Sequence, residues 1–314
     1  MEYIVLDLEW NQGEEKREER GMSLPFEIIE IGAVRLDGER RVKDTFHRVI
    51  RPVVYPQLFE ITKQLIELTD QDLQQGGTFQ EAGRAFLDWC GSGEYRFCSW
   101  GPSDLAVLQQ NLAFFEVDFQ MEYPLYYYDV QQLYTIAFEE EQNARNLEYA
   151  VRELKLPVDR PFHGALADAE YAAEVFAQID FDLVLHYPAL DLYRHPAPGE
   201  DAILVQCPDY RQTVSCSYTT KEEVRMDRRM AQLCCCVCGK KGKRLIPWFA
   251  NNSNNRNYDS LGICREHGYL KGRLVIKNPA SQEFFGVQTV RLASEEEESR
   301  LEARYQEKKK QERS

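Results

Sequence analysis

The stretch "YIVLDLEW", residues 3 to 10, sets two carboxylates inside an otherwise apolar run. Such a run reads as a strand buried on both faces, and side chains alternate along a strand. Asp7 and Glu9 therefore share a face and lie close together. Two like charges side by side in a core are costly unless something cationic lies between them. Either the pair reaches solvent at the strand's end, or it holds a metal. A second stretch, "RPFHGALADAEYAAEVFAQI", places Asp168 early in a helix whose Ala165, Ala169, Ala172 and Ala173 permit close packing on a sheet. His163 stands five residues earlier, and five helical steps would turn it about 140° away. It reaches the same site only from the loop before the helix, an approach that Gly164 leaves open. Asp104, on the first turn after "YRFCSW", is a fourth carboxylate. Each residue also has a plain structural reading. Asp104 can complement a helix dipole, His163 can be a hydrogen-bonded surface residue, and Asp168 an exposed helical carboxylate. Asp129 in "YYYDV" competes with them but reads as the N-cap of the next helix.

A different chemistry stands further along. "CCCVCGKKGKR" and "CREHG" give C-x2-C-x25-C-x2-H through Cys235, Cys238, Cys264 and His267. Thiolates completed by an imidazole at this spacing predict one closed, structural Zn²⁺ site, a staple for a small domain with a thin core. Cys234 or Cys236 could substitute for Cys235. Around the cysteines stand Lys240, Lys241, Lys243, Arg244, Arg256, Arg265, Lys271 and Arg273, with Trp248, Phe249 and Tyr258 among them. They could grip phosphates and stack bases, or the basic face could meet the acidic first half of the chain. The Asn-rich "ANNSNNRNY" reads as an exposed loop.

After the first strand, "NQGEEKREERGMSLP" reads as a mobile loop. "FEIIEIGAVRLDG" and "RVKDTFHRVIRP" read as a hairpin turning at Asp37-Gly38. Helical patterns at about 62–73 and 78–90 precede the strand "YRFCSW", and Leu105, Leu108, Leu112 and Phe115 then recur at helical spacing. A short strand "PLYYYDV" is followed by helices near 129–140, 146–155 and 164–178. Three consecutive strands followed by alternation imply a mixed α/β sheet. The expected organisation is a first domain over 1–181, a linker over 182–200, a basic zinc-binding domain over 201–290 and a charged tail, helical or disordered, over 291–314.

The net charge of −14 is unevenly distributed. Residues 1–181 hold 16 Lys/Arg against 34 Asp/Glu, whereas 221–278 hold 13 against 5. An acidic domain joined to a basic one suits a metal-centred enzyme with a polyanion-binding module, or simply two domains of differing pI. No apolar run of about 18 residues exists to span a membrane. Nine cysteines with no secretory signal suggest a reducing, cytoplasmic setting.

"LDLEW", "SWGPSDLAVL" and "HGALADA" together resemble the motifs of the DEDDh group of 3′→5′ exonucleases, and "FEIIEIGAV" is similar to that group's second strand. The resemblance covers residues 1 to about 181. The wording around Asp104 is most similar to the branch of RNA-trimming exonucleases. It implies a ribonuclease H-like fold with a mixed five-stranded sheet flanked by helices. It also implies two Mg²⁺ or Mn²⁺ ions, with Asp7 bridging both, Glu9 and Asp168 completing one, and Asp104 supporting the other. His163 would be the general base. The implied partner is single-stranded nucleic acid with a free 3′ end, RNA favoured, cut to 5′-mononucleotides. A DNA-directed proofreading enzyme and an inactive nucleic-acid-binding adaptor are the rival readings. Trp10 and Asn11 would lie near a terminal nucleotide, with Leu8 in the core.

Overall fold

The computed structural model of the chain describes all residues except 15–16, 20–21, 140–142, 251–255, 279–282 and 312–314. The central Asn251–Asn255 of the Asn-rich stretch thus lie outside the described residues. The chain divides into two units, Met1–Tyr193 and Arg194–Ser314.

In the first unit the strands are β1 (Glu2–Asn11), β2 (Arg17–Glu19), β3 (Met22–Leu24), β4 (Glu27–Leu36), β5 (Val42–Val49), β6 (Tyr95–Ser99), β7 (Tyr126–Asp129) and β8 (Ala189–Leu190). The helices are α1 (Glu60–Leu65), α2 (Asp70–Gln75), α3 (Phe79–Cys90), α4 (Asp104–Phe114), α5 (Val130–Phe138), α6 (Leu147–Glu153), α7 (Ala165–Gln178) and α8 (Phe181–His186). The sheet order is β5-β4-β1-β6-β7-β8. β1 pairs antiparallel with β4 and parallel with β6, so the sheet is mixed. The five expected strands are present, and the segment read as a linker adds α8 and the two-residue sixth strand β8. Two further expectations change. The loop after β1 contains the β2–β3 ribbon. The helical pattern at 62–73 breaks in two because Thr69 accepts the Asp72 N–H and starts a fresh helix with a reciprocal capping box.

β1 runs between two cores, as a central strand should. Ile4, Leu6 and Leu8 pack with α3 and α4 residues such as Phe86, Leu108 and Leu112. Tyr3 and Val5 pack with α7 residues such as Ala169, Ala172 and Phe176. Asp7 and Glu9 continue the second row. Their cross-strand partners on β4 are Gly32 and Glu30. At Gly32 α7 comes so near that an added Cβ would sit 2.1 Å from the Ala165 carbonyl carbon. The missing side chain is what lets the helix carrying Asp168 lie against the strand carrying Asp7.

The second unit holds an antiparallel sheet ordered β11-β12-β13-β14-β10-β9. Its strands are β9 (Ile203–Gln206), β10 (Tyr210–Val214), β11 (Lys243–Ala250), β12 (Asn257–Cys264), β13 (Gly268–Lys277) and β14 (Phe285–Leu292). Short helices α9 (Lys221–Met226) and α10 (Arg228–Ala231) bury Val224 and Met230 with Leu274 and Ile276. The charged C-terminal segment forms α11 (Glu295–Gln311). It is docked rather than free: Leu301 is 2% exposed beside Ile246, Phe249 and Leu261, and Glu297 pairs with Lys271 and Arg291.

Gly32→Ala should cost about 3 kcal/mol, the upper end for overpacking a filled core. A urea midpoint within error of the wild type would contradict the tight α7–β4 contact.

Candidate active site

β6 ends opposite Leu6, so on that side of β1 the Leu8 N–H lies beyond the last residue of β6. Asp104, the first residue of α4, fills the gap: its Oδ1 accepts that N–H at 3.2 Å. Asp104 is 5% exposed, tied to the strand one residue away from Asp7. From the opposite side α7 brings Asp168, whose Oδ2 accepts the His163 N–H at 3.1 Å. Its Oδ1 is buried and has no hydrogen-bond partner. His163 precedes the helix's Gly164 cap, so it sits in the loop, with φ at 66° and an exposed side chain. One ligand atom each from Glu9, His163 and Asp168 falls within 4.8 Å of the others. Five residues from three separate segments, β1, the start of α4 and the stretch 163–168, thus converge around the end of β1.

The electrostatics show why such a cluster needs a counter-charge. Burial raises the Asp7 carboxyl well above its usual range, and the charges of Asp104, Asp168, Glu9 and Glu30 push the same way. Burial also raises Glu9 to about 8, with Asp168 and Glu30 adding to it. Asp104 rises to about 7 through burial, partly offset by the backbone N–H groups it accepts. Asp168 rises to about 6, burial outweighing the His163 N–H and imidazole. An all-oxygen set with an unpartnered buried carboxylate oxygen fits a hard divalent cation such as Mg²⁺ or Mn²⁺.

Sequence reasoning missed Glu30. It is buried on the same face as Glu9, directly across from it. The signal was the strand alternation of "FEIIEIGAV", which places Glu30 and Gly32 toward the site. Asp129 caps α5, accepting the Gln132 N–H at 3.0 Å. Asn11 is not free to touch a nucleotide. Its amide nitrogen donates to the Tyr55 and Gln57 carbonyls, and its oxygen accepts the Phe59 N–H. Trp10 packs against Phe26.

In the second unit, Cys235, Cys238, Cys264 and His267 each offer a ligand atom within 4.8 Å of the rest. His267 Nδ1 lies 3.6 Å from both Cys235 Sγ and Cys264 Sγ, and the Cys238 and Cys264 sulfurs are 3.7 Å apart. A tetrahedron with Zn–S near 2.3 Å and Zn–N near 2.0 Å has edges of about 3.8 and 3.5 Å. The cluster is therefore compatible with zinc. The Glu266 N–H and the His267 imidazole draw the Cys264 thiol down to about 6, toward the thiolate a metal binds. Cys235 joins the group, while Cys234 and Cys236 do not. Two of the aromatic residues read as base-stacking are committed elsewhere. Phe249 is buried against Tyr305 of α11, and Tyr258 is buried beneath Arg225. Phe249 lies in the cluster that α11 covers, and Tyr258 in the one that α9 and α10 cover.

The raised carboxyls fix a sign. A carboxyl raised above its unfolded value contributes stability at low pH that is lost as pH rises through its folded value. The metal-free protein should therefore lose stability from about pH 5 to 8, as Asp168, Asp104 and Glu9 ionise in turn. Glu9→Gln should raise the thermal midpoint of metal-free protein at pH 8 and leave it unchanged at pH 4. Equal effects at both pH values would contradict the crowding.

Among the described residues no helix is long and apolar enough to cross a membrane. Residues 4–176 match the RNase_T family, described as Exonuclease. A probable 3′-5′ exonuclease, KapD of Bacillus subtilis (strain 168), is 31% identical over 94 residues, which are 30% of this chain and 45% of that protein. The chain thus spans less than half the length of that relative. The solved nuclease domain of 3′hExo, a DEDDh family member bound to rAMP, is 18% identical with a TM-score of 0.51, covering 61% of this chain and 97% of that one. That likeness is one of fold. With more than half of its length matched, the chain belongs to the exonuclease family.

Proposed function

We propose that the chain is a metal-dependent 3′→5′ exonuclease that trims single-stranded nucleic acid from a free 3′ end to 5′-mononucleotides, with RNA favoured. The observation that carries this reading is the convergence of Glu9, His163 and Asp168 beside Asp7 and Asp104. The 3′→5′ direction is supported by the likeness to KapD over 94 residues, and the RNA preference by the wording of "SWGPSDLAVL". An inactive adaptor would have no need of five such residues held at one strand end.

Asp7, Glu9, Asp104 and Asp168 are the residues to hold two divalent ions. When bound, such ions make water a nucleophile at neutral pH and neutralise charge on the leaving 3′ oxygen. His163, exposed beside Glu9 and Asp168, takes a proton from the attacking water. Asp168 holds the His163 backbone through its Oδ2, which fixes where the imidazole starts. Asp104 anchors the end of β1 through Leu8 and so keeps Asp7 in register.

The second unit is read as a zinc-stapled module that holds substrate. Lys241, Lys243, Arg265 and Arg273 are exposed there and available for phosphates, while Arg244, also exposed, donates to the Ala231 carbonyl. Lys240 and Lys271 are engaged by Glu266 and Glu297. A cytoplasmic setting accords with a reduced Cys3His site.

With Mn²⁺ or Mg²⁺ and 5′-labelled single-stranded RNA and DNA, the protein should give a ladder shortening from the 3′ end, faster on RNA. Asp7→Ala should slow it by at least about a hundredfold, as expected when charge stabilisation is lost. No metal-dependent cleavage of either strand would overturn the proposal in favour of the adaptor. Zinc should be present at about one per chain and be lost, with folding of the second unit, on Cys238→Ser plus Cys264→Ser. A folded, metal-free wild-type protein would contradict the staple.

A further inference from the structure

Helix α7, which delivers Asp168, is held at both ends by the β4–β5 hairpin. Its N-cap is Gly164, which offers no side chain to the first N–H groups. Glu30 of β4 supplies the acceptor instead, its Oε2 taking the Ala165 N–H at 3.1 Å. The other oxygen, Oε1, lies 2.6 Å from His47 Nε2 on β5. Glu30 is 5% exposed and both its oxygens are engaged, so it stands among the site carboxylates without being a free ligand.

The far end is held just as firmly. Arg40, in the turn between β4 and β5, has φ at 62°, where Asp37 folds the turn by accepting the Glu39 and Arg41 N–H groups. Its Nη1 donates to the Phe176 and Ile179 carbonyls at 2.7 and 2.6 Å, and its guanidinium lies over the Phe176 and Phe181 rings. A carboxylate at the N-terminus and a guanidinium at the C-terminus both match the helix dipole. Between them, Gly32 lets the helix backbone rest on the strand.

We infer that this hairpin is a clamp fixing α7 along its axis, with Glu30, His47 and Arg40 as positioning residues for Asp168 and His163. The inference rests on the exonuclease reading of the site. A slip of one residue along α7 would carry Asp168 about 1.5 Å and turn it about 100°. A misplacement near 1 Å suffices to cost about a hundredfold in rate. Arg40 binds carbonyls 8 and 11 residues beyond Asp168, so it can influence the chemistry only by moving the helix.

The test uses the full, zinc-loaded chain with Glu30→Ala, Glu30→Gln, Arg40→Ala and Arg40→Lys. For each, kcat and KM on one labelled oligonucleotide are measured well below the unfolding midpoint, with Mn²⁺ affinity in the same series. Glu30→Ala and Arg40→Ala should lower kcat by about tenfold or more, leave KM within about twofold, and weaken Mn²⁺ binding. Glu30→Gln and Arg40→Lys should recover most of the loss, since an amide oxygen still accepts the Ala165 N–H. Should Glu30→Ala fail to fold, the Arg40 pair decides the question. Wild-type kcat and Mn²⁺ affinity in Arg40→Ala would overturn the clamp, as would a Glu30→Gln variant as slow as Glu30→Ala. A wild type that binds Mn²⁺ but cleaves nothing contradicts the exonuclease reading instead, and the clamp is then judged on Mn²⁺ affinity alone.

Discussion

Four carboxylates crowded at one strand end set the terms for the rest of the first unit. Two unit charges about 4 Å apart repel by about 4 kcal/mol in a protein-like medium. Burial adds to this, and Asp7, Glu9, Asp104 and Asp168 are all pushed upward for that reason. Left alone, such groups would take up protons or swing apart. The fold prevents the second outcome, and a cation is the natural remedy for the first.

Keeping the carboxylates together falls to well-packed, closely hydrogen-bonded structure around them. β1 is buried on both faces, so it cannot rotate to carry Asp7 and Glu9 into solvent. Asp104 replaces a missing strand hydrogen bond. Asn11 pins the 55–59 segment to the end of β1, and Glu27 gathers the Val53, Val54 and Tyr55 N–H groups beside it. The zinc-compatible cluster plays a comparable part in the second unit, tying the turn after α10 to the β12–β13 hairpin. In each unit a charged or metal-binding group sits where several chain segments must meet.

Much of this was legible in the residues. Alternation along "YIVLDLEW" put Asp7 and Glu9 on one face, and helical geometry demanded that His163 lie before α7, where it stands. The Cys/His spacing singled out four ligands that the fold brings together. What escaped were features decided by tertiary partners. Glu30 looked like one more strand residue until register set it opposite Glu9 and under Ala165. Asn11 seemed available for a nucleotide until loop backbone claimed its amide. Phe249 and Tyr258 seemed suited to stacking, but α11 covers the first and α9 and α10 the second, so both are buried. The charged tail looked solvated because its one fully buried apolar residue, Leu301, stands in a long polar helix, and its other anchors, Glu297, Arg304 and Tyr305, are residues whose partners only the fold supplies.

If the raised carboxyls at the end of β1 hold divalent cations, uptake of the ion must be coupled to loss of protons. Calorimetric titration of Mn²⁺ into the zinc-loaded chain near pH 7, in buffers of differing ionisation enthalpy, tests it most directly. Uptake should be saturable and release protons, because ions must displace protons from groups raised to about 6, 7 and 8. Asp7→Asn should abolish both. Uptake that is unchanged in the variant, or that releases no protons, would contradict the account.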